Sequence, residues 1–180
     1  MERLKLSIAV FILLLPSLSL AAPYYGATLS YTAVAKEPPY LHGYQFMFNY
    51  DPDCYKWRQF NLYFDAGFSH FWITNTSYYT TLNIYSAAPV IRYTFKKRGL
   101  VHPYLDLSIG LAYFNHTHLD NRNLGIHFAF QDRIGLGVFL GQAKQFSVGI
   151  HAVHYSNAHL SDHNSGISIP LALDISYRFG

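Results

Sequence analysis

The chain has 180 residues, of which 13% are charged and 18% are aromatic, and its formal net charge is +3. Soluble domains usually carry about a quarter charged residues, so the composition argues against an ordinary soluble protein. The charge is small and diffuse, which gives no basis for a nucleic-acid partner. Cys54 is the only cysteine, which excludes an intramolecular disulfide.

The N-terminus has the layout of a secretory signal peptide. Two basic residues precede an apolar run that ends at Leu20, and Ala21 completes a small-residue cleavage motif. This run is short for a bilayer-spanning helix, which needs about 20 apolar residues, and no later stretch reaches that length. We therefore predict a signal peptide at 1–21 and one mature domain at 22–180.

The mature chain alternates apolar and polar residues in about eight segments of roughly ten residues each, as the strands of a transmembrane barrel do. Each segment has one face suited to hydrocarbon and one polar face. In the last segment, Ile169, Leu171 and Leu173 are expected to face lipid. The clearest predicted strands are Tyr40–Tyr50, Phe60–Phe68, Tyr104–Tyr113, Ile126–Leu140, Ser147–Asn157 and Ile169–Phe179. We predict an all-β fold, an eight-stranded antiparallel transmembrane β-barrel of a Gram-negative outer membrane.

The predicted connections fall into two classes. The short ones are Asp51–Lys56, Phe95–Leu100 and Gly141–Gln145, and the longer ones are Trp72–Thr80, Asn115–Asn123 and Ala158–Ile167. Barrels of this type keep short turns on the periplasmic side and long loops outside, so the connection at Lys36–Pro39 is a short exception on the outer side. Side chains fill the interior of an eight-stranded barrel. Function is therefore expected on the outer wall or in the external loops.

The seventh predicted strand interrupts its lipid-facing row with two polar residues. His154 and Ser156 follow Val148, Ile150 and Ala152 on the same face, near the outer-leaflet boundary. Polar groups facing lipid are costly and indicate a functional site, and a histidine beside a serine is the minimal pair for nucleophilic catalysis. The alternative is that both residues lie at the wet interface, where a strand end tolerates polar groups.

The sixth predicted strand carries one acidic residue, Asp132, in its lipid-facing row. Antiparallel pairing about a turn centred near Ala143 sets Asp132 opposite His154, where Cβ atoms are about 5 Å apart. Ser156, His154 and Asp132 would then supply a nucleophile, a base and an orienting acid. A register slip of one residue breaks this match, and the alternative is that Asp132 is an interfacial carboxylate that binds water.

Two amides and several loop histidines are further candidates. Either Asn157 or Asn164 is placed to donate to a developing oxyanion, although asparagine is also favoured in turns. The external loops contain His116, His118, His159 and His163, with Asp120 and Asp162 nearby. Their spacing matches no defined metal motif, so no metal site is predicted.

The stretch His154-Tyr155-Ser156-Asn157-Ala158, followed by Asn164-Ser165-Gly166-Ile167 and a closing aromatic strand, resembles the PagL family of lipid A 3-O-deacylases. The resemblance implies an eight-stranded outer-membrane barrel with a serine-hydrolase site on its lipid-facing wall and no cofactor. By position it makes Ser156 the nucleophile and His154 the base, with Asn157 in the oxyanion hole and Asn164 at another position typical of the family.

The chain departs from the family pattern at one position. The family places a glutamate there to orient the histidine, and this sequence has Ser168. A serine cannot stabilise an imidazolium as a carboxylate does, and losing the orienting acid lowers the rate by several orders of magnitude. On sequence alone three outcomes stay open: Asp132 substitutes, the enzyme is weak, or catalysis is lost.

The leading hypothesis is a lipid A 3-O-deacylase that acts on lipopolysaccharide in the outer leaflet, surrounded by membrane lipids. A second hypothesis is a non-catalytic surface barrel, either an adhesin or a structural protein, with its function in the external loops. A third is an acyltransferase with the same nucleophile and a lipid acceptor. The sequence leaves the oligomeric state open, a homodimer included.

Overall fold

The structure, a computed structural model, describes residues 23–96 and 99–179. The predicted signal peptide at 1–21 lies outside these residues. No helix in the described ranges is long and apolar enough to cross a membrane. The strands are β1 (Tyr24–Val34), β2 (Leu41–Asp51), β3 (Lys56–Trp57), β4 (Phe60–Ile73), β5 (Thr81–Thr94), β6 (Val101–Phe114), β7 (His118–Leu119), β8 (Arg122–Asn123), β9 (Phe128–Leu140), β10 (Phe146–Ser156) and β11 (Ile167–Phe179).

Eight long strands form a closed antiparallel barrel, as predicted. Each pairs with its neighbours along the chain, and β1 pairs with β11 to close the ring. The short strand β3 extends β4, while β7 and β8 form a small hairpin within the long connection between β6 and β9. Closure pairs every long strand on both sides, which removes the exposed sheet edges that a bilayer does not tolerate.

The outer wall is apolar where the alternation predicts it. On β6, Leu107, Ile109 and Leu111 are exposed, whereas Asp106 and Ser108 between them are buried. The odd-numbered residues of β6 all face outward because alternate side chains of a strand lie on opposite faces. The exposed aliphatic row is therefore the surface that contacts lipid.

Ion pairs occupy the interior. Arg92 Nη2 lies 2.6 Å from Asp106 Oδ2, and Arg133 pairs with Asp65 across the barrel. Pairing is required because an isolated buried charge is very costly. Two interior spaces lined by these residues hold about 30 and 20 Å³, and a third, which Arg92 lines with Lys56 and Lys144, holds about 250 Å³. Small-molecule pockets begin at about 300 Å³. The interior is a filled core, so a site for a lipid is expected on the outer wall.

One strand departs from simple alternation, and the departure shapes the site. His151 pairs with Ala172, but Val153 pairs with Ile169, so β11 contains one more residue than β10 at this point. Such an extra residue is a β-bulge, and it changes which face the following residues occupy. Ile169 is therefore buried in the interior at 1% exposure. The prediction that it faces lipid is wrong, and Ser168 faces outward instead.

Candidate functional site

The site strand is fixed from inside the barrel. Tyr155 is fully buried, and its ring lies against the edges of Phe71 and Phe114 at centroid distances of 6.4 and 6.2 Å. Because alternate residues face opposite sides of a strand, anchoring Tyr155 inward projects His154 and Ser156 outward. Both lie at the outer end of β10, as predicted.

The predicted register between the sixth and seventh barrel strands is confirmed. Asp132 on β9 pairs with His154 on β10, and both are exposed on the outer wall. The carboxylate of Asp132 nevertheless makes no hydrogen bond to the ring in the described part of the chain. The ring nitrogen Nδ1 is turned to the other neighbouring strand, so this structure does not use Asp132 to orient His154.

Ser168 on β11 holds the histidine instead. His154 pairs with Ser168 across the ladder, and His154 Nδ1 lies 2.9 Å from Ser168 Oγ. When Nδ1 carries the proton, the ring donates to this hydroxyl and Nε2 keeps the lone pair that a base requires. Ser168 therefore fixes the position of the ring through a hydroxyl, which carries no charge.

Gly166 gives the histidine ring its room. A Cβ at this position would lie 3.3 Å from His154 Cε1, and the backbone has a positive φ of 60°. Both the close approach and the left-handed backbone favour glycine. A larger residue at 166 would press on the ring edge that includes Cε1 and Nε2.

Ser156 lies just beyond the histidine on the same outward face. It pairs with Phe130 of β9, one step above Tyr155. Within residues 23–96 and 99–179, the Ser156 hydroxyl makes no hydrogen bond to His154. The two side chains are adjacent by strand geometry, since residues two apart on one face are neighbours.

The two asparagines have different roles. Asn157 is buried, and its Nδ2 donates to the carbonyls of Leu124 at 3.0 Å and His163 at 2.7 Å. Both amide hydrogens are used, so the prediction that the Asn157 side chain can donate to an oxyanion is wrong. Its odd position places it on the interior face, where it ties the external loops together. Asn164 Oδ1 accepts from the Asn157 backbone N–H at 3.0 Å, which orients the Asn164 amide beside the site strand.

An apolar groove of about 600 Å³ runs along the outer wall below the histidine. Polar side chains border it at Asp132, His154 and Ser168, together with Lys36. Its apolar lining comes from the outward-facing residues Leu107, Ile109, Ile134, Ala152 and Pro170. The volume and the lining suit a hydrocarbon chain with a polar group at one end.

The connection between β1 and β2 contributes residues that the sequence analysis missed. Glu37 forms an isolated bridge with Ser168, and Lys36 N donates to the Ser168 carbonyl at 3.0 Å. Arg122 joins this connection to the site loop, because it lies 3.6 Å from Glu37 Oε2 and donates to the carbonyl of Ser165. The short outer connection at Lys36–Pro39 is thus part of the wall around the site.

The loop histidines do not gather into a cluster. His118 stacks on Tyr79 at a centroid distance of 5.2 Å. Across the described ranges, no three His, Cys, Asp or Glu side chains are arranged to hold a metal ion. The chemistry-bearing residues that the fold brings together are those around His154.

The fold and this site define a class: an outer-membrane β-barrel with a polar, lipid-facing site at the head of an apolar groove. The chain belongs to the lipid A 3-O-deacylase (PagL) family, whose model matches residues 42–177. The family is one of ester hydrolases, so the chain is placed among hydrolases of the outer membrane.

Two individual proteins similar to this chain carry the name of the same family. A lipid A deacylase PagL of Pseudomonas aeruginosa is 42% identical over 82 residues, a match that spans 46% of this chain and 46% of that protein. One from Bordetella bronchiseptica is 29% identical over 156 residues, covering 87% of this chain and 77% of that protein.

Two solved structures are similar to the chain as a whole. The crystal structure of the outer membrane enzyme PagL matches with a TM-score of 0.67 and 28% identity, and the match covers 87% of this chain and 99% of that one. Neisserial surface protein A matches with a TM-score of 0.56 and 15% identity over 87% of this chain and 97% of that one. The second likeness shows the barrel fold alone.

Proposed function

We propose that this protein removes the ester-linked acyl chain at the 3-position of lipid A, with Ser156 as nucleophile and His154 as base. The observation that carries the proposal is the hydrogen bond from His154 to Ser168 at the head of an apolar groove on the lipid-facing wall. Membership of the deacylase family supports the same substrate. Lipid A lies in the outer leaflet with its sugars at the headgroup boundary, so its acyl esters meet the wall at the depth of this site.

The first half of the reaction forms an acyl-enzyme. His154 Nε2 takes the proton of the Ser156 hydroxyl as Oγ bonds to the ester carbonyl carbon. The carbonyl oxygen becomes an oxyanion, and we assign the Asn164 amide as its hydrogen-bond donor. The carbon–oxygen bond to the sugar then breaks, and the imidazolium returns its proton to the sugar oxygen.

The second half releases the fatty acid. A water molecule gives its proton to His154 Nε2 and attacks the acyl carbonyl, and the acyl–Ser156 bond breaks as the serine oxygen regains a proton. In this scheme Nδ1 keeps its proton and donates it to Ser168 Oγ through both halves, which leaves Nε2 as the basic nitrogen. Asp132 lies on the opposite flank of the ring, where it acts as a solvated carboxylate at the lipid boundary.

A covalent probe tests the proposed nucleophile. We expect a long-chain alkyl fluorophosphonate to label purified, folded barrel at Ser156 with loss of fluoride, because only an activated serine displaces it. Peptide mass spectrometry locates the adduct, and His154→Ala, which removes the base, should slow labelling strongly. Labelling at another serine, or equal labelling rates in the His154→Ala variant, would contradict the assignment.

The groove makes a separate prediction about acyl-chain binding. We expect Ala152→Trp to lower kcat/KM for a long-chain ester about 10- to 100-fold, because the indole fills space that the acyl chain needs and misplaced substrates react slowly. Hydrolysis of a short-chain ester should change little. Ala27→Trp, on β1 opposite the lipid-facing Phe48, is the matched control and should leave both activities unchanged. Equal losses for both esters would mean that the groove does not hold the chain.

A further inference from the structure

Ser168 is paired on both sides, and the second partner is acidic. On one side it faces His154 of β10. On the other it bridges Glu37 from the connection between β1 and β2, with Ser168 N donating to Glu37 O at 2.8 Å and Glu37 N donating to Ser168 O at 3.2 Å. Four residues on adjacent segments, Asp132, His154, Ser168 and Glu37, thus form one row across the wall.

The pairing with Ser168 determines the face of the wall on which the Glu37 side chain lies. Residues directly opposed in an antiparallel pair have side chains on the same face, with Cβ atoms about 5 Å apart. The bridge between Glu37 and Ser168 therefore places the Glu37 side chain on the face that the Ser168 hydroxyl occupies. A glutamate is long enough to reach that hydroxyl across one strand pair.

When His154 Nδ1 carries the proton, the Ser168 hydroxyl keeps its own proton to donate. A serine oxygen accepts through its lone pairs and donates one proton, and here it is occupied as the partner of His154 Nδ1. Within the described ranges, no side chain accepts the proton of Ser168 Oγ. A carboxylate is the acceptor that makes the strongest such hydrogen bond.

Glu37 is free to take this place. Its carboxylate lies 3.6 Å from Arg122 Nη2, and its side chain is 42% exposed. An exposed ion pair at this distance contributes little, so little stability is lost when Glu37 exchanges Arg122 for the Ser168 hydroxyl. Asp132 on β9 does not compete for the hydroxyl, because it lies on the far side of His154.

We propose that Glu37 is a positioning residue that supplies the missing negative charge to His154 through Ser168. His154 Nδ1–H donates to Ser168 Oγ, and Ser168 Oγ–H donates to the Glu37 carboxylate. The charge of Glu37 stabilises the imidazolium one hydroxyl away, where the family's glutamate acts directly. This inference rests on the proposed esterase function of Ser156 and His154. The other charged groups that face the ring are Asp132 from β9 and Lys36 from the connection.

The test is a double-mutant cycle between positions 37 and 168, measured as fatty acid release from purified lipid A by the full barrel in detergent. We expect Glu37→Gln to lower kcat about 10-fold with KM unchanged, and to move the acidic limb of the pH–rate profile to lower pH, because the imidazolium loses a stabilising charge. In a Ser168→Glu background the same substitution should cost nothing further, since a carboxylate then contacts His154 directly.

Two results of this cycle would overturn the proposed role of Glu37. An equal loss from Glu37→Gln in both backgrounds would mean that Glu37 acts through the fold or through Arg122, because independent effects add. No loss in the wild-type background would also overturn the proposal. Asp162→Asn, the same charge change in an external loop, is the control and should be silent. If Ser156→Ala keeps full activity, the assignment of Ser156 as nucleophile fails, and if the wild type releases no fatty acid, the esterase function itself fails. Both outcomes are distinct from the effects of Glu37→Gln.

Discussion

Replacing Ser168 with glutamate should increase the catalytic rate rather than reduce it. The wild-type hydroxyl fixes the position of His154 but carries no charge, whereas a carboxylate at this place also stabilises the imidazolium that forms when Ser156 gives up its proton. Removing such a carboxylate from a complete triad costs about 10⁴-fold in kcat. We expect Ser168→Glu to recover about 10- to 100-fold of this, since part of it is already provided by the existing network.

The measurement is kcat for fatty acid release as a function of pH, with folding checked by the faster gel migration of unboiled barrel. The acidic limb of the profile should move to higher pH in Ser168→Glu, because the new carboxylate favours the protonated ring. Ser168→Gln introduces a side chain of nearly the same size as glutamate but without charge, so it should not increase kcat. A folded Ser168→Glu variant that is slower than wild type would show that position 168 does not orient His154.

Much of the site was predictable because β9 and β10 pair without irregularity. A turn centre near Ala143 was sufficient to place Asp132 opposite His154, because the register between β9 and β10 has no shift. The alternation also identified the outward row that contains His154 and Ser156. Regular two-residue periodicity carries this information because each residue's face follows from its parity.

The prediction failed where the period was interrupted. Between Ile169 and Ala172, β11 gains a residue that reverses the faces, and this reversal is what brings Ser168 beside His154. Pro170 was the available signal, since a proline within a strand is confined to edges, first positions or bulges. With this bulge taken into account, Ser168 would have been expected on the outer wall.

Other parts of the site depend on contacts that a pattern does not contain. Asn157 had interior parity in the alternation, but its role in tying Leu124 to His163 depends on loops that meet only in the folded barrel. Glu37 lies outside the strands and pairs with Ser168 of β11 through an isolated bridge. Contacts between loops distant in the chain follow from three-dimensional closure, so no local period predicts them.

The second large effect is expected at the proposed nucleophile. Ser156→Ala removes the oxygen that forms the acyl-enzyme and leaves the groove and the His154–Ser168 hydrogen bond in place. Loss of the nucleophile in a serine hydrolase costs on the order of 10⁶-fold in kcat. Because this enzyme starts without a carboxylate at position 168, we expect a smaller loss of about 10³-fold or more, with the barrel folded and groove binding retained.

Lipid A isolated from outer membranes that contain the wild-type protein or Ser156→Ala, compared by mass spectrometry, tests the central claim most directly. The wild-type barrel should convert lipid A to a species lighter by one 3-O-linked acyl chain, and the Ser156→Ala barrel, present at equal amount and equally folded, should leave it intact. Identical lipid A in the two membranes, or a lipid that gains an acyl group in the wild type, would contradict the claim that this wall carries a lipid A esterase.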